Sequence, residues 1–260
     1  MKARVIQSNY IPWRGYFDFI NQVDIFVLFD DVQYIKRSFR NRNTIKDNNK
    51  INFITVPIKK YNGFVNINAL QICDSTGWRK HHFNQLVHAY SKAPFFRELI
   101  NDFCDILNSH NDSLSELNAS LLNWICGLLS IKTPIIASER LNATGQKTHR
   151  LVDILEKLGA DTYLSGPSAA CYLDHDLLRE ANIGLEFKTY DYAPYPQLSM
   201  PFMGNVSILD LLFNVGPDAK NHITSKTPNR IVLTTQQGHK NITKSQPTIL
   251  PPQTDAGLSR

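Results

Sequence analysis

The chain has 260 residues, 42% of them hydrophobic and 20% charged, which is typical of a globular protein with a sizeable buried core. No run approaches the ~18 consecutive apolar residues of a membrane helix, and the first residues lack the apolar segment of a signal peptide, so we expect a cytoplasmic protein without membrane insertion. The net charge of +5 does not predict nucleic-acid binding, because residues 225–260 carry five Lys and Arg against one Asp. The four cysteines form no C-x-x-C pair, which argues against a zinc or redox site, and we expect no metal.

Two short apolar runs near the start, residues 3–6 and 25–29, predict parallel strands joined by a loop and a helix. The connection, residues 7–19, is crowded with polar and aromatic side chains. Side chains that follow the carboxyl ends of parallel strands commonly line ligand sites. We therefore expect substrate contacts at this edge of the sheet. The candidates are Gln7, Tyr10, Trp13, Tyr16 and Gln33.

Two adjacent acids, Asp30 and Asp31, directly follow the second predicted strand. Because successive strand residues point to opposite sides, only one of them is expected to face the site. That carboxylate would orient a catalytic histidine, hold an amino group or bind a divalent ion. The alternative is a capping role in the next turn.

Residues 36–60 form a strongly basic segment, with eight Lys and Arg against the single acid Asp47. Such a segment either binds phosphate or is a solvated basic face. We favour phosphate contacts, because the segment follows the predicted edge of the sheet. The expected phosphate-binding residues are Arg40, Asn41, Arg42 and Lys46.

The pattern then passes from strands to helices. Strands are predicted over 53–58 and 64–70, with a hairpin-like turn at Asn62-Gly63. Residues 77–130 are helical in pattern. The predicted helices are 78–90, 94–107 and 113–129, the last of them capped by Asn111 or Asp112 and rich in leucine at core spacing.

The second half alternates again between strands and helices. Strands are predicted over 134–137, 162–164 and 185–190, and helices over 148–158 and 206–213. After the strand at 162–164, a turn containing Ser165 and Gly166 either binds a phosphate or carboxylate or is an ordinary turn.

The predicted fold class is α/β, a Rossmann-like sheet with a helical insertion or appendage in the middle of the chain. We expect one domain over residues 1–224 and a polar, disordered tail over 225–260.

Several short blocks, in order over residues 3–217, carry a family resemblance. They are residues 7–15, 29–34, 40–43, 55–57, 90–95, 163–166, 172–174 and 207–216, with Trp78 and His82. Together they resemble the WbqC-like family of bacterial polysaccharide gene clusters. The resemblance implies a role in O-antigen and related surface-glycan synthesis, in which amino acids or similar acyl groups are attached to amino sugars. It also singles out His82, whose neutral imidazole would accept a proton from an attacking amine.

We therefore expect a cytoplasmic acyl or aminoacyl transferase that forms an amide on a nucleotide-linked amino sugar. His82 would be the base, assisted by Asp30 or Asp31, and an acyl or peptidyl carrier protein with a phosphopantetheine arm would be one source of the acyl group. Two alternatives stay open. One is a nucleotide-sugar binding or scaffold protein without turnover. The other is a nucleotidyltransferase-like enzyme that uses ATP, although residues 13–16 lack its H-x-G-H signature.

Overall fold

The computed structural model describes residues 1–109 and 112–233, and these contain eight strands and seven α-helices. In chain order they are β1 (Lys2–Ile6), α1 (Arg14–Asn21), β2 (Ile25–Leu28), β3 (Arg42–Asp47), β4 (Lys50–Thr55), α2 (Trp78–Tyr90), α3 (Phe96–Ser109), α4 (Leu114–Leu128), β5 (Ile135–Ala137), α5 (Lys147–Leu158), β6 (Thr162–Ser165), α6 (His175–Glu180), β7 (Gly184–Phe187), α7 (Ile208–Val215) and β8 (Arg230–Leu233).

The main sheet has the strand order β5-β2-β1-β6-β7-β8. Within this sheet, the five strands from β5 to β7 in the order given are parallel, and β8 runs antiparallel to β7. Strands β2 and β5 extend the sheet on one side of β1, and β6, β7 and β8 extend it on the other side. This order confirms the predicted Rossmann-like α/β class, and it places the switch in direction between β1 and β6.

Side chains of the central strands alternate between two cores, one on each face of the sheet. Phe26 and Leu28 of β2 pack into the core that includes the helical insertion, whereas Val27 and Phe29 pack into the core formed with α5 and α6. Burial on both faces explains why these strands are continuous apolar runs in the sequence.

The predicted helical insertion is present as α2, α3 and α4, between β4 and β5. The cap of α4 is Ser113, whose hydroxyl accepts a hydrogen bond from the Glu116 N–H at 3.2 Å. Asp112 is therefore not the cap, and Asn111 lies outside the described residues. No helix in the described part of the chain is both long and apolar enough to cross a membrane.

The region before the insertion differs from the prediction. A separate antiparallel hairpin is formed by β3 and β4, and Asn48 in its turn has a φ of 53°. The predicted strand over 64–70 is wrong, because residues 67–69 form a 3-10 turn and their neighbours make only isolated bridges. Strand β3 is polar in sequence but largely buried, so period-2 patterning does not reveal it.

The start of the predicted tail is folded. Ser225 is buried, the Lys226 N–H donates to the Asp191 carbonyl at 2.8 Å, and β8 pairs with β7. The prediction of disorder is therefore wrong for residues 225–233, because the apolar run at 231–233 can pair with the open edge of the sheet. The remaining tail, 234–260, lies outside the described residues. The prediction of a single domain stays a prediction.

Candidate functional site

The carboxyl edge of the sheet brings several predicted residues together. Gln7 follows β1, Asp30 follows β2, and Ser165 ends β6, so all three lie at the same edge. Gln7 directly follows β1 and Ser165 is the last residue of β6, and these two strands flank the switch in strand order, where ligands bind in sheets of this class. Ser165 is fully buried and its hydroxyl accepts a hydrogen bond from Arg4, and Gly166 opens a short 3-10 helix over Pro167–Cys171.

Asp30 is buried in a polar network behind this edge. Its carboxylate accepts hydrogen bonds from the Ser8 N–H at 2.8 Å and from the Ser115 hydroxyl. Burial raises the pKa of Asp30, and these hydrogen bonds oppose that rise. The contacts fix the loop that follows β1, so the geometry supports a structural role for Asp30.

Arg40 belongs to the same network. Its guanidinium donates to the Asn9 side chain, and its carbonyl accepts from Asn118 at 2.9 Å. Asn118 also donates to the Ser8 hydroxyl at 2.9 Å. Since Arg40 is 95% buried, these contacts orient it toward the protein interior, and the predicted contact with a bound phosphate gains no support.

Asp31 and Gln33 do not join the group at the carboxyl edge of the sheet. The Asp31 carboxylate forms an ion pair with Arg150 of α5 and accepts from Ser138. Gln33 is exposed and makes an isolated backbone bridge with Asn66. Asp31 therefore anchors α5 to the sheet and, like Asp30, is held by structural partners.

The aromatic residues that were predicted to contact substrate lie mostly in the core. Tyr10 and Tyr16 are buried, and the Tyr16 hydroxyl donates to the Gln7 carbonyl at 3.0 Å. Trp13 is half-buried and meets Tyr190 and Tyr192 edge-on, with ring centres 5.3 and 5.5 Å away. Of these three aromatic candidates, only Trp13 lies near the surface.

His82 occupies a closed environment that argues against the predicted role of general base. Only 1% of the residue is exposed, its Nδ1 is 3.1 Å from the Tyr10 hydroxyl, and its Nε2 is 3.1 Å from the Thr55 carbonyl. A neutral ring satisfies both contacts, because Nε2–H donates to the carbonyl and Nδ1 accepts from Tyr10. Burial lowers the pKa of His82 to about 4. Both ring nitrogens of His82 are therefore already hydrogen-bonded inside the core, which leaves neither of them free to accept a proton from an amine.

Asn41 and Arg42, the other residues that were predicted to bind phosphate, lie in different environments. Asn41 is buried, accepts from the Tyr34 hydroxyl at 2.9 Å and donates to the Val56 carbonyl at 2.8 Å. Arg42 is half-buried and lies over the Phe53 ring, 4.4 Å from its centre. Asn41 is therefore structural, whereas Arg42 stays available at the surface of the hairpin.

A polar cavity of about 360 Å³ lies beside the hairpin, away from the predicted crevice. Its exposed rim is contributed by the β3–β4 turn, the end of α2 and the segment that precedes α7. The lining residues are Lys46, Asn48, His88, Ala89, Tyr90, Ser91, Lys92, Leu198, Ser199 and Asp210. Of the predicted site residues, Lys46 alone contributes to this lining.

Asp210 is the acid of the cavity. Only 1% of the residue is exposed, as for His82, but Asp210 contributes to the cavity lining and His82 does not. Its Oδ1 accepts from the Tyr195 hydroxyl at 2.8 Å and from the Gln197 amide at 2.7 Å, and its Oδ2 accepts from the Tyr90 hydroxyl at 3.0 Å. Burial raises the pKa of Asp210, and the hydrogen bonds, with the charge of Lys46, oppose the rise. A carboxyl with a raised pKa in a cavity wall is a typical candidate for acid–base chemistry.

Lys46 also lines the cavity. Its ammonium donates to the Gln197 side chain at 2.9 Å, to the Pro201 carbonyl at 2.8 Å and to the Ser199 carbonyl. Because an ammonium has three donors, these contacts account for all of them. Lys46 therefore holds the segment at 197–201 against β3, which corrects its predicted role as a phosphate ligand.

Sequence reasoning missed Asp210, Tyr90 and Gln197. A signal was present, since Tyr90 and Asp210 both fall in blocks that carried the family resemblance. Asp210 is also the one acid in the apolar helix α7, where a buried charge needs a reason. Among the described residues, no three His, Cys, Asp or Glu side chains are grouped so as to hold a metal.

The sheet and its helices define a Rossmann-like α/β protein, which has a polar cavity beside the β3–β4 hairpin. Comparison with known proteins is more specific: the chain belongs to the WbqC-like protein family, whose family model matches residues 7–222. It is 42% identical over 224 residues to a protein of Mycobacterium tuberculosis (strain ATCC 25618 / H37Rv) named "Uncharacterized protein Rv1507c". The matched region covers 85% of this chain and 97% of that protein. No solved structure matches the chain.

Proposed function

We propose that the protein is a cytoplasmic transferase that attaches an amino-acid or other acyl group to the amine of a nucleotide-linked amino sugar for surface-polysaccharide (O-antigen) synthesis. The observation that supports the proposal most is the buried Asp210 carboxyl in the wall of the polar cavity. Membership in the WbqC-like family supports the polysaccharide context.

The size of the cavity favours a sugar-sized group. Pockets for small molecules span about 300–1,000 Å³, and this cavity, at about 360 Å³, is near the lower limit. A monosaccharide ring fits such a volume, whereas a nucleotide diphosphate would extend beyond it. The exposed Lys92 on the rim is suited to the diphosphate.

Asp210 would supply the base. In amide formation the amine nitrogen bonds to the acyl carbon, the bond from that carbon to its leaving group breaks, and the amine loses a proton. The Asp210 carboxylate would accept this proton and pass it to the leaving group. Its raised pKa makes it a stronger base than an ordinary aspartate, as general-base catalysis near neutral pH requires.

The hydrogen bonds at Asp210 suit this role. Oδ1 has two donors, Tyr195 and Gln197, whereas Oδ2 has one, Tyr90. A carboxylate oxygen can accept two hydrogen bonds, so Oδ2 retains capacity for an amine. The three donors also fix the orientation of the carboxyl before the substrate arrives.

A second candidate function is a nucleotide-sugar binding module without turnover. The same carboxylate would then bind the sugar ammonium as a counter-ion, with Lys92 on the phosphates. The favouring observation is that Asp210 already has three hydrogen-bond donors, an arrangement that also suits static recognition.

The test is amide formation. Purified protein is incubated with a panel of nucleotide-linked amino sugars and acyl donors that are free, adenylated or thioester-linked, and products are followed by mass spectrometry. An amide establishes the transferase. Protection against thermal unfolding by a nucleotide amino sugar, without product from any donor, would instead establish the binding module.

Two variants then test the base. Asp210→Asn keeps the size and most hydrogen bonds of the side chain but removes the proton acceptor, so we expect kcat to fall by about 10²- to 10⁴-fold while the sugar still binds. Asp218→Asn makes the same chemical change at an exposed residue outside the cavity and should keep wild-type kcat. Unchanged kcat in Asp210→Asn would refute the assignment of the base.

A further inference from the structure

A mixed apolar and basic surface borders the mouth of the cavity. We name it the hairpin surface and define it by Arg42, Ile51, Phe53, Leu198 and Met200. Its apolar members are unusually exposed: the exposed fractions are 45% for Ile51, 50% for Phe53, 45% for Leu198 and 75% for Met200. Exposed apolar groups that cluster, with cations beside them, mark an interaction site.

Register contacts show that these side chains lie together. Ile51 pairs with Lys46 and Phe53 pairs with Thr44 across the hairpin, and directly opposed residues in an antiparallel pair point to the same face. On that face the Lys46 ammonium holds the Pro201 carbonyl at 2.8 Å, and the Thr44 hydroxyl donates to the Asn205 carbonyl at 3.1 Å. The segment that carries Leu198 and Met200 therefore runs alongside Ile51 and Phe53.

The surface is continuous with the cavity. The Ser199 hydroxyl donates to the Asn48 carbonyl at 2.8 Å, which joins the segment to the β3–β4 turn. Leu198, Ser199 and Asn48 all line the cavity. A molecule bound on the hairpin surface would therefore lie at the mouth.

The charge of the surface is positive. Arg42 lies over the Phe53 ring, and Lys92 is exposed on the cavity rim. Lys50 lies on the other face of the hairpin, directly across from Asp47. The nearby acid, Asp47, is mostly buried and lies 3.4 Å from His88. Complementary charge predicts an acidic partner with apolar groups at the centre of its contact.

We propose that the hairpin surface docks an acidic protein that carries the acyl group as a thioester on a flexible arm. The proposal rests on the proposed function. A folded partner cannot enter a cavity of this size, so the acyl group must reach Asp210 on an extended chain. There the sugar amine bonds to the acyl carbon, the carbon–sulfur bond breaks, and the proton accepted by Asp210 passes to the departing sulfur.

The experiment compares two donors that carry the same acyl group. One is a holo acyl carrier protein acylated on its phosphopantetheine thiol, and the other is the pantetheine thioester alone. We expect a KM at least about tenfold lower for the carrier-bound donor. That advantage should shrink from 10 to 150 mM salt, because the Debye length falls from about 30 to 8 Å.

Variants locate the docking site. In Arg42→Glu combined with Met200→Asp, the ratio of the carrier KM to the pantetheine KM should rise about tenfold. Lys220→Glu, a charge reversal at an exposed lysine outside the surface, should leave the ratio unchanged. Direct titration of the holo carrier protein into each variant measures its Kd, so the variants can also be compared without catalysis.

Several outcomes overturn the docking proposal. Equal KM values for both donors do so while leaving the transferase intact, and so does a carrier affinity that the double variant does not change. A variant that alters the mass of the protein in solution, and not carrier binding, would assign the surface to a second copy of the chain. Failure of every donor to give an amide refutes the proposed function, whereas carrier titration still decides whether the surface binds an acidic protein.

Discussion

Lys188, just after β7, and Asp18, in α1, form an ion pair with 2.7 Å between Nζ and Oδ2, and both side chains are fully buried. Asp18 also accepts hydrogen bonds from the Tyr192 hydroxyl at 2.8 Å and from the Ser225 N–H at 3.0 Å. One carboxylate therefore links the helix after β1, the end of β7 and the segment that leads to β8.

Removal of one partner of this pair should be costly. Lys188→Met leaves a buried carboxylate without its cation, so we expect a loss of about 3–5 kcal/mol in the free energy of unfolding, measured with urea. Adding Asp18→Asn removes the uncompensated charge and should recover part of the loss. If the double variant loses the full sum of the two single changes, the two side chains are not coupled.

His82 should make stability depend on pH. Burial lowers its folded-state pKa to about 4, against about 6.5 when unfolded, so the unfolded chain binds the extra proton more readily. The stability due to the neutral ring is complete above pH 6.5 and is lost as pH falls from 6.5 toward 4. The total amounts to about 3 kcal/mol.

Urea unfolding at pH 7 and pH 4.5 measures this effect. His82→Gln should be less stable at pH 7, because the Tyr10 hydroxyl loses its partner, and should show a smaller fall between the two pH values. His149→Gln, at an exposed histidine, keeps the full pH dependence. Parallel curves for wild type and His82→Gln would show that His82 does not titrate as expected.

Two helical glycines should respond oppositely to alanine. At Gly15 an added Cβ would lie 2.3 Å from the Trp13 ring, whereas at Gly127 nothing lies within 4 Å. Gly127→Ala should stabilise the protein by about 0.5–1 kcal/mol through helix propensity, and Gly15→Ala should destabilise it by about 1–3 kcal/mol through overpacking. Thermal unfolding measures both effects: the Tm should rise for Gly127→Ala and fall for Gly15→Ala. Equal shifts would show that Trp13 moves aside freely.

The rate of amide formation should have an acid limb set by Asp210. Asp210 acts as the carboxylate, so kcat falls as pH falls through its pKa. Since burial raises that pKa, the limb should lie above the ordinary aspartate value of 3.8. The measurement is kcat against pH, with circular dichroism to show that the protein stays folded. If Asp210→Asn is slower but its kcat shows the same acid limb as the wild type, the limb belongs to another group.

The strongly patterned elements could be predicted from sequence. The apolar runs of β1 and β2, the helix α2 with its bounds at 78–90, and the glycine after α5 all have local signals. Gly159 has a φ of 69°, as a glycine that ends a helix often does. Local pattern also led to the right fold class, since strands and helices alternate.

The site was harder, because its members meet only in three dimensions. His82 was chosen for its chemistry, but its surroundings decide its role, and those depend on Tyr10 and Thr55 from distant segments. Lys46 resembled a phosphate ligand until its three acceptors, all beyond residue 196, were known. No spacing rule connects Tyr90, Gln197 and Asp210.

Strand β8 has a practical consequence for protein production. Its backbone occupies the outer edge of β7, in the register Leu185 to Leu233 and Phe187 to Arg230. A shortened chain that ends at residue 224 would leave the N–H and C=O groups of β7 open to strands of other molecules. Such a version should form oligomers or inclusion bodies, whereas one that retains Arg230–Leu233 should remain monodisperse at the same concentration.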